Sequence, residues 1–255
     1  MSRVIAVYNQ KGGVAKTTTA VNLAAYLALA GKKVLVVDFD PQANASSALG
    51  YPAKDNFESV YHGIFNLTEV EKLIKPTSLY NYHLLPASQH LAGALIELVE
   101  VNEREFQLKK LIDRIREQYD YILIDLPPSL SLLTVNGLIA ADEVLIPIQS
   151  HYLSLEGLNQ LLEVVDMIKN NLSSNLNIAG AVITMYDENE KLSQELAEQL
   201  KASFPYHIFE TMIPRSASLA EAPSFGRPAV LHDPISDGAK AYEQLAREIL
   251  ARENL

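Results

Sequence analysis

The chain has no cysteine. That excludes disulfides, thiolate catalysis, Cys-ligated zinc and iron–sulfur clusters. Its six histidines (62, 83, 90, 151, 207 and 232) show neither HExxH nor HxxxH spacing, so no dedicated His-metal site is expected. No apolar run reaches the ~18 residues that a membrane span requires. The opening residues Met1 to Tyr8 carry no signal-peptide cleavage pattern, so a cytoplasmic location is expected. Positive charge is scarce as well. Lys plus Arg number 21 against 31 Asp plus Glu, a formal net charge of −10, which argues against a broadly basic nucleic-acid binder.

What the chain does have is apolar content. Its 255 residues are 48% hydrophobic and 20% charged, enough for one large core and too apolar for disorder. No repeat and no low-complexity linker interrupts it. Apolar runs alternate with helical patterns. Strands are predicted at Val4–Tyr8, Lys33–Asp38, His83–Pro86, Tyr121–Asp125, Glu143–Ile148 and Ile178–Thr184. Helices are predicted at Lys16–Ala30, Glu103–Gln118, Leu155–Lys169, Leu192–Ala202 and Ile235–Arg252, and Thr68 to Glu71 reads as a capping box opening a short one. Strands apolar on both faces, separated by helices, predict a single α/β domain over residues 1–255, a mostly parallel twisted sheet with helices on both faces. Ligands bind at the carboxyl ends of such strands. That directs attention to the residues after Tyr8, Asp38, Asp125 and Thr184.

After the first strand, Asn9-Gln10-Lys11-Gly12-Gly13-Val14-Ala15-Lys16-Thr17-Thr18-Thr19 runs straight into a helix. Gly12 and Gly13 allow a tight turn and a close backbone approach to a phosphate. N–H groups at the helix start face that charge, and the helix dipole favours it. Lys16 suits the β- and γ-phosphates, and Thr17 suits Mg²⁺. The strict G-x-x-x-x-G-K-[ST] pattern fails, because Gln10 and Ala15 stand where its glycines would. The competing interpretation is an ordinary glycine turn before a basic helix start.

The stretch Lys11 to Thr18 resembles the deviant Walker A motif, KGGxxK[ST], of the ParA/MinD ATPases. That resemblance implies a P-loop NTPase fold binding ATP with Mg²⁺. It makes Lys11, Gly12, Gly13, Val14, Ala15, Lys16, Thr17 and Thr18 the phosphate contacts, and sends Lys11 across an ATP-bound dimer to the partner's phosphates. Ala15, in place of the commoner glycine, is a small departure that needs backbone angles a Cβ permits.

Two acidic segments follow. Period-two spacing puts Asp38 and Asp40 on one side of the chain at the ligand end of the second strand. Alone they would be turn-capping aspartates before Pro41. Beside a phosphate loop they suit magnesium and water activation. Tyr121-Ile-Leu-Ile-Asp125 is an apolar strand ending in an acid, the Walker B form. The resemblance implies that Asp40 orients the attacking water. It gives Asp38 a supporting role for the magnesium shell and Lys11, places Asp125 with Thr17 at the metal, and makes Pro127-Pro128 a switch segment.

Further on, Ala181 to Asp187 and Met212 to Pro228 resemble ParA segments that wall the adenine pocket and the dimer face. They nominate Met185, Pro214 and Arg215 as base contacts, since a Met side chain and a Pro ring suit a purine by shape. Gln149 and Tyr152 follow another strand end and are weaker candidates for the dimer cleft. The last helix is balanced in charge, unlike a basic membrane-surface helix, so it is expected to pack on the domain.

The function implied by the resemblance is a ParA-type ATPase that positions cargo such as a chromosome, a plasmid or a protein assembly. ATP forms a sandwich homodimer, and a ParB-like activating protein stimulates hydrolysis. The alternatives are a MinD-like membrane oscillator, an ATP-dependent small-molecule synthetase and a non-hydrolysing nucleotide binder. DNA is where the sequence departs from the family. ParA proteins place arginines after the Thr-Met-Tyr-Asp strand and after the Pro-Arg pair, where this chain has Asn189 and Ser218. From Asp187 to Lys201 five acids (187, 188, 190, 195, 198) face two lysines (191, 201), so weak DNA binding is expected.

Overall fold

The computed structural model describes residues 2–52, 57–150, 155–171 and 175–254. One eight-stranded sheet organises it. The strands are β1 (Arg3–Val7), β2 (Val34–Asp38), β3 (Lys75–Pro76), β4 (Tyr82–Leu85), β5 (Tyr121–Asp125), β6 (Glu143–Gln149), β7 (Asn177–Tyr186) and β8 (Ile208–Pro214). Their order is β3-β4-β2-β5-β1-β6-β7-β8, parallel throughout except for the antiparallel two-residue β3 at one edge.

Alternation along each strand feeds two cores. Val4, Ala6, Leu35, Val37, Ile122 and Ile124 face one way, under the helices Gln107–Asp113, Leu132–Ala140 and Leu155–Asn171. Ile5, Val7, Val34, Val36, Leu123 and Leu145 face the other, under the helices Lys16–Leu29 and Asp237–Ala251. The last helix lays Ala239, Tyr242, Leu245, Ala246 and Ile249 on the first helix and β8, as its apolar stripe predicts. Buried Tyr242 and Thr19 join the two helices through their hydroxyls at 3.0 Å.

Four differences from the sequence pattern have a readable cause or consequence. The predicted Glu103–Gln118 helix is broken into a 3₁₀ turn at Arg104–Phe106, the helix Gln107–Asp113 and a 3₁₀ turn at Arg116–Gln118. Asn136 sits at the first of these breaks. Its Oδ1 accepts from Leu108 N at 3.2 Å and its Nδ2 donates to Arg104 O at 2.8 Å, so one side-chain amide replaces a helical i→i−4 bond. The Leu132–Ala140 helix itself has little periodicity to detect, because seven of its nine residues are buried. Strand β8 alternates buried and exposed residues at the sheet edge and carries Glu210. Finally, Thr68 does not cap the Val70–Leu73 helix. Its hydroxyl donates to Glu58 instead (3.0 Å).

Candidate active site

Three neighbouring strands bring the site together. Register pairs Val7 with Asp125 and Asp38 with Asp125, so the ends of β1, β5 and β2 lie level. The loop after β1 is held from two sides. Asn9 Nδ2 donates to Pro147 O (2.8 Å) while its Oδ1 accepts from Lys11 N (3.0 Å). Thr184 Oγ1, at the end of β7, donates to Val14 O (3.2 Å). Gly13 and Ala15 both adopt left-handed backbone, φ 73° and 65°, and helix Lys16–Leu29 starts at once. The left-handed geometry at Ala15 explains why glycine is the commoner residue there. A Cβ in that region costs roughly 1–2 kcal/mol, a larger departure than the sequence suggests.

Lys16 is 7% exposed and its Nζ donates to Lys11 O (2.8 Å), folding the side chain back over the loop. Burial lowers its pKa, opposed by the charges of Asp125 and Asp40. Thr17 Oγ1 donates to Asp125 Oδ2 at 2.7 Å. The other oxygen of Asp125, Oδ1, is buried with no hydrogen-bond partner. Burial, reinforced by the charge of Asp38, raises the Asp125 pKa well above its ordinary value. An acceptor-only oxygen left bare beside a second carboxylate is the donor set of a hard divalent cation. Among the described residues no group of three or more His, Asp or Glu forms a cage. That suits Mg²⁺, which takes one or two carboxylates and completes its shell with phosphate and water.

Asp38 and Asp40 part company. Asp40 lines a cavity of about 370 Å³ with Gly12, Gly13, Lys16, Thr17 and Thr18, and its Oδ1 accepts from Gln42 N (2.9 Å). Asp38 lies behind that cavity, 0% exposed. Its Oδ2 accepts from Ser46 N and Ser46 Oγ (both 2.7 Å) and its Oδ1 from Asp40 N (3.3 Å). Burial nonetheless pushes it up to about 6. Asp40 thus lines the cavity and Asp38 does not.

A second cavity, about 430 Å³, opens on the other side of Ala15 and Thr18. Met185, Pro214 and Arg215 all line it, together with Ile213 and Leu219 from the same nominated segments and Tyr242, which lies outside them. Tyr242 carried a signal, its place on the apolar stripe of the last helix. Ile213 sits on β8, the strand that periodicity did not reveal. The two cavities share Ala15, Thr18 and Met185. A cavity lined by the glycine loop, Lys16 and Asp40 thus joins a more apolar one. Lys11 Nζ donates to Gln149 Oε1 at the end of β6 (3.3 Å), so Gln149 belongs to the site's edge. Tyr152 lies outside the described residues.

Strand, glycine loop, helix start and a buried acid on the next strand define a P-loop nucleotide-binding protein. The comparisons narrow the class. A family model described as an AAA domain matches residues 2–178. The chromosome-partitioning ATPase Soj of Treponema pallidum is 47% identical over 253 residues, covering 99% of this chain and 99% of that one. The sporulation initiation inhibitor protein Soj of Bacillus subtilis is 47% identical over 251 residues, 98% of this chain and 99% of that one. Among solved structures, a cobyrinic acid a,c-diamide synthase of Mycobacterium smegmatis with bound ADP and magnesium matches with a TM-score of 0.87. Its identity is 32%, covering 100% of this chain and 96% of that one. The chain belongs to the ParA/MinD family of P-loop ATPases, with the Soj/ParA partitioning ATPases as its relatives. No helix among the described residues is long and apolar enough to cross a membrane.

Proposed function

We propose that this chain binds Mg-ATP in the joined cavities, pairs into a sandwich dimer while the γ-phosphate is present, and hydrolyses ATP to reset. Its work is to segregate or position a cargo, a chromosome above all, with a ParB-like partner that stimulates hydrolysis. The observation that carries this reading is the shared wall of Ala15, Thr18 and Met185 between a phosphate chamber and an apolar chamber, with the bare oxygen of Asp125 beside it.

Residue roles follow from placement. The backbone of Gly12 to Thr18 and the Lys16 ammonium cradle the phosphates, and Lys16 must swing from Lys11 O to reach them. Thr17 and Asp125 hold Mg²⁺, which supplies charge neutralisation on the phosphate oxygens. Asp40, kept in place by Gln42 N, faces the chamber and orients the attacking water. Met185, Pro214 and Arg215 enclose the base. Lys11, stationed at Gln149 in the single chain, leaves for the partner's phosphates in the dimer.

The likeness to a synthase favours a second reading, ATP-dependent activation of a small carboxylate. A further cavity, about 550 Å³, is lined by Leu95, Val99, Leu132, Val135, Met167 and Ile168. The charged groups among its described lining residues are Arg104 and Glu105, paired with each other at 2.9 Å. Such a chamber has no convergent donors for a carboxylate, and the positioning ATPase stands as the conclusion.

The test is light scattering on Asp40→Ala with Mg-ATP and with Mg-ADP. The variant binds and stalls, so a dimer accumulates with ATP alone. A monomer under both conditions, with binding intact, overturns the sandwich.

A further inference from the structure

Met185 occupies a backbone region that a residue with a Cβ rarely adopts, φ 54°, at the point where the β7–β8 register shifts between Thr184 and Tyr186. A bulge of this kind re-aims a side chain, and this one belongs to the wall shared by both nucleotide cavities. Left-handed non-glycine residues persist only where their surroundings enforce them. A line of buried hydroxyls ends on the Met185 carbonyl. Asp187 N donates to Ser193 Oγ (3.1 Å), Ser193 Oγ donates to Ser150 Oγ (2.8 Å), and Ser150 Oγ donates to Met185 O (2.9 Å).

The direction of this line is forced. Its first group, a backbone N–H, only donates, and its last, a carbonyl, only accepts, so each hydroxyl between them has one possible proton position. Ser150 and Ser193 are 1% and 0% exposed, leaving no water to substitute. Ser150 N also donates to Thr184 O (3.0 Å), so Thr184 and Met185 are both tied to Ser150 after β6. Ser150 directly follows Gln149, the residue that receives Lys11. The anchor at the far end, Ser193, lies in the first turn of the exposed helix Lys191–Ser203, away from both cavities.

We propose that Ser150 and Ser193 are positioning residues of the nucleotide site: their hydroxyl relay holds Met185 in its left-handed turn so that its side chain braces the base at the mouth of the phosphate chamber. The inference rests on the nucleotide reading above. The bland alternative is two buried serines satisfying each other with no bearing on the ligand.

Calorimetric titration of Mg-ADP and Mg-ATP, with thermal melts on the same samples, separates the two. Ser193→Ala raises Kd about five- to tenfold, equally for both nucleotides because the base is common to them. Ser193→Thr, which keeps the hydroxyl, restores most of the affinity. Ser193→Cys, a near-isosteric weak donor that preserves packing, gives an intermediate loss and serves if the alanine variant does not fold. Asn adopts left-handed backbone more readily than Met. On a Met185→Asn background, removing the Ser193 hydroxyl therefore costs less than twofold, a coupling that a double-mutant cycle measures. A lower Tm with unchanged Kd, or equal losses on both backgrounds, would overturn the proposal. Failure of the wild-type chain to bind either nucleotide would instead overturn the nucleotide reading itself.

Discussion

Asp38 and Asp125 stand level on neighbouring strands, 0% and 1% exposed, and only one of them has a free oxygen to offer. Ser46 and the Asp40 backbone donate to both oxygens of Asp38. Asp125 keeps Oδ1 bare. The ligand-free protein thus buries an acidic pair whose proper counter-charge is a cation from outside.

The pair makes the ligand-free fold pH-dependent. Burial raises both carboxyls, Asp38 to about 6, above the roughly 3.9 of an unfolded Asp. The folded state then binds protons more tightly than the unfolded one. Their contribution to stability is fully present below pH ~4 and is lost as pH rises through the raised values. Asp125→Asn keeps the Thr17 contact and removes the charge. It should raise the Tm at pH 7.5 by about 2–4 °C, the shift of ~1 kcal/mol in a domain of this size, with a smaller gain at pH 5. Magnesium-dependent nucleotide binding should be lost. A lower Tm at both pH values would contradict the account.

Ala15 offers a test of strain. Its φ of 65° costs roughly 1–2 kcal/mol, and glycine recovers this less about 0.4–1 kcal/mol of extra unfolded-chain entropy. Ala15→Gly should therefore stabilise by about 0.5–1 kcal/mol in denaturant melts. An ordinary Ala→Gly loss would show that the turn is not strained.

Lys11 tests the dimer from the other side. Lys11→Ala should keep nucleotide affinity within about tenfold, since Lys16 supplies the anchoring charge in the same chain. It should fail to dimerise with ATP even when combined with Asp40→Ala. Light scattering reads the outcome, and a dimer in the double variant would remove Lys11 from the interface.

DNA binding should be weak. Of the basic residues Lys191, Lys201, Arg215, Arg227, Lys240 and Arg247, which are the candidates for phosphate contacts, three pair with carboxylates of their own helices: Lys191 with Glu195 at 3.4 Å, Lys240 with Asp237 at 4.0 Å and Arg247 with Glu243 at 2.6 Å. Such pairs break at little cost, so the acidic surroundings matter more. Anisotropy on random duplex at ~150 mM salt, with Asp40→Ala and ATP, should show affinity no tighter than ~10⁻⁴–10⁻⁶ M. Submicromolar binding that is lost on changing Lys201, Arg215 and Arg227 would show that the absent arginines were given too much weight.

The central strands and the site's frame were legible because their signals are local. Tyr121–Asp125 is predicted residue for residue, and Gly12, Gly13 and Lys16 announce a loop between strand and helix. Asn136, at the first break in the predicted Glu103–Gln118 helix, lies some thirty residues away, so no local window of the sequence contains its contacts there. Ser46 stands only eight residues after Asp38, yet its two hydrogen bonds to that carboxylate depend on how the intervening turn folds and carry no local signal. Strand β8 escaped because an edge strand with one wet face has no continuous apolar run.

The central claim is that the loop before Lys16 binds Mg-ATP, and one calorimetric titration addresses it. Wild-type chain titrated with ATP in the presence of Mg²⁺ should give saturable one-to-one binding per chain that Lys16→Ala abolishes while its melting curve stays cooperative. Unchanged affinity in Lys16→Ala would contradict the account at its foundation.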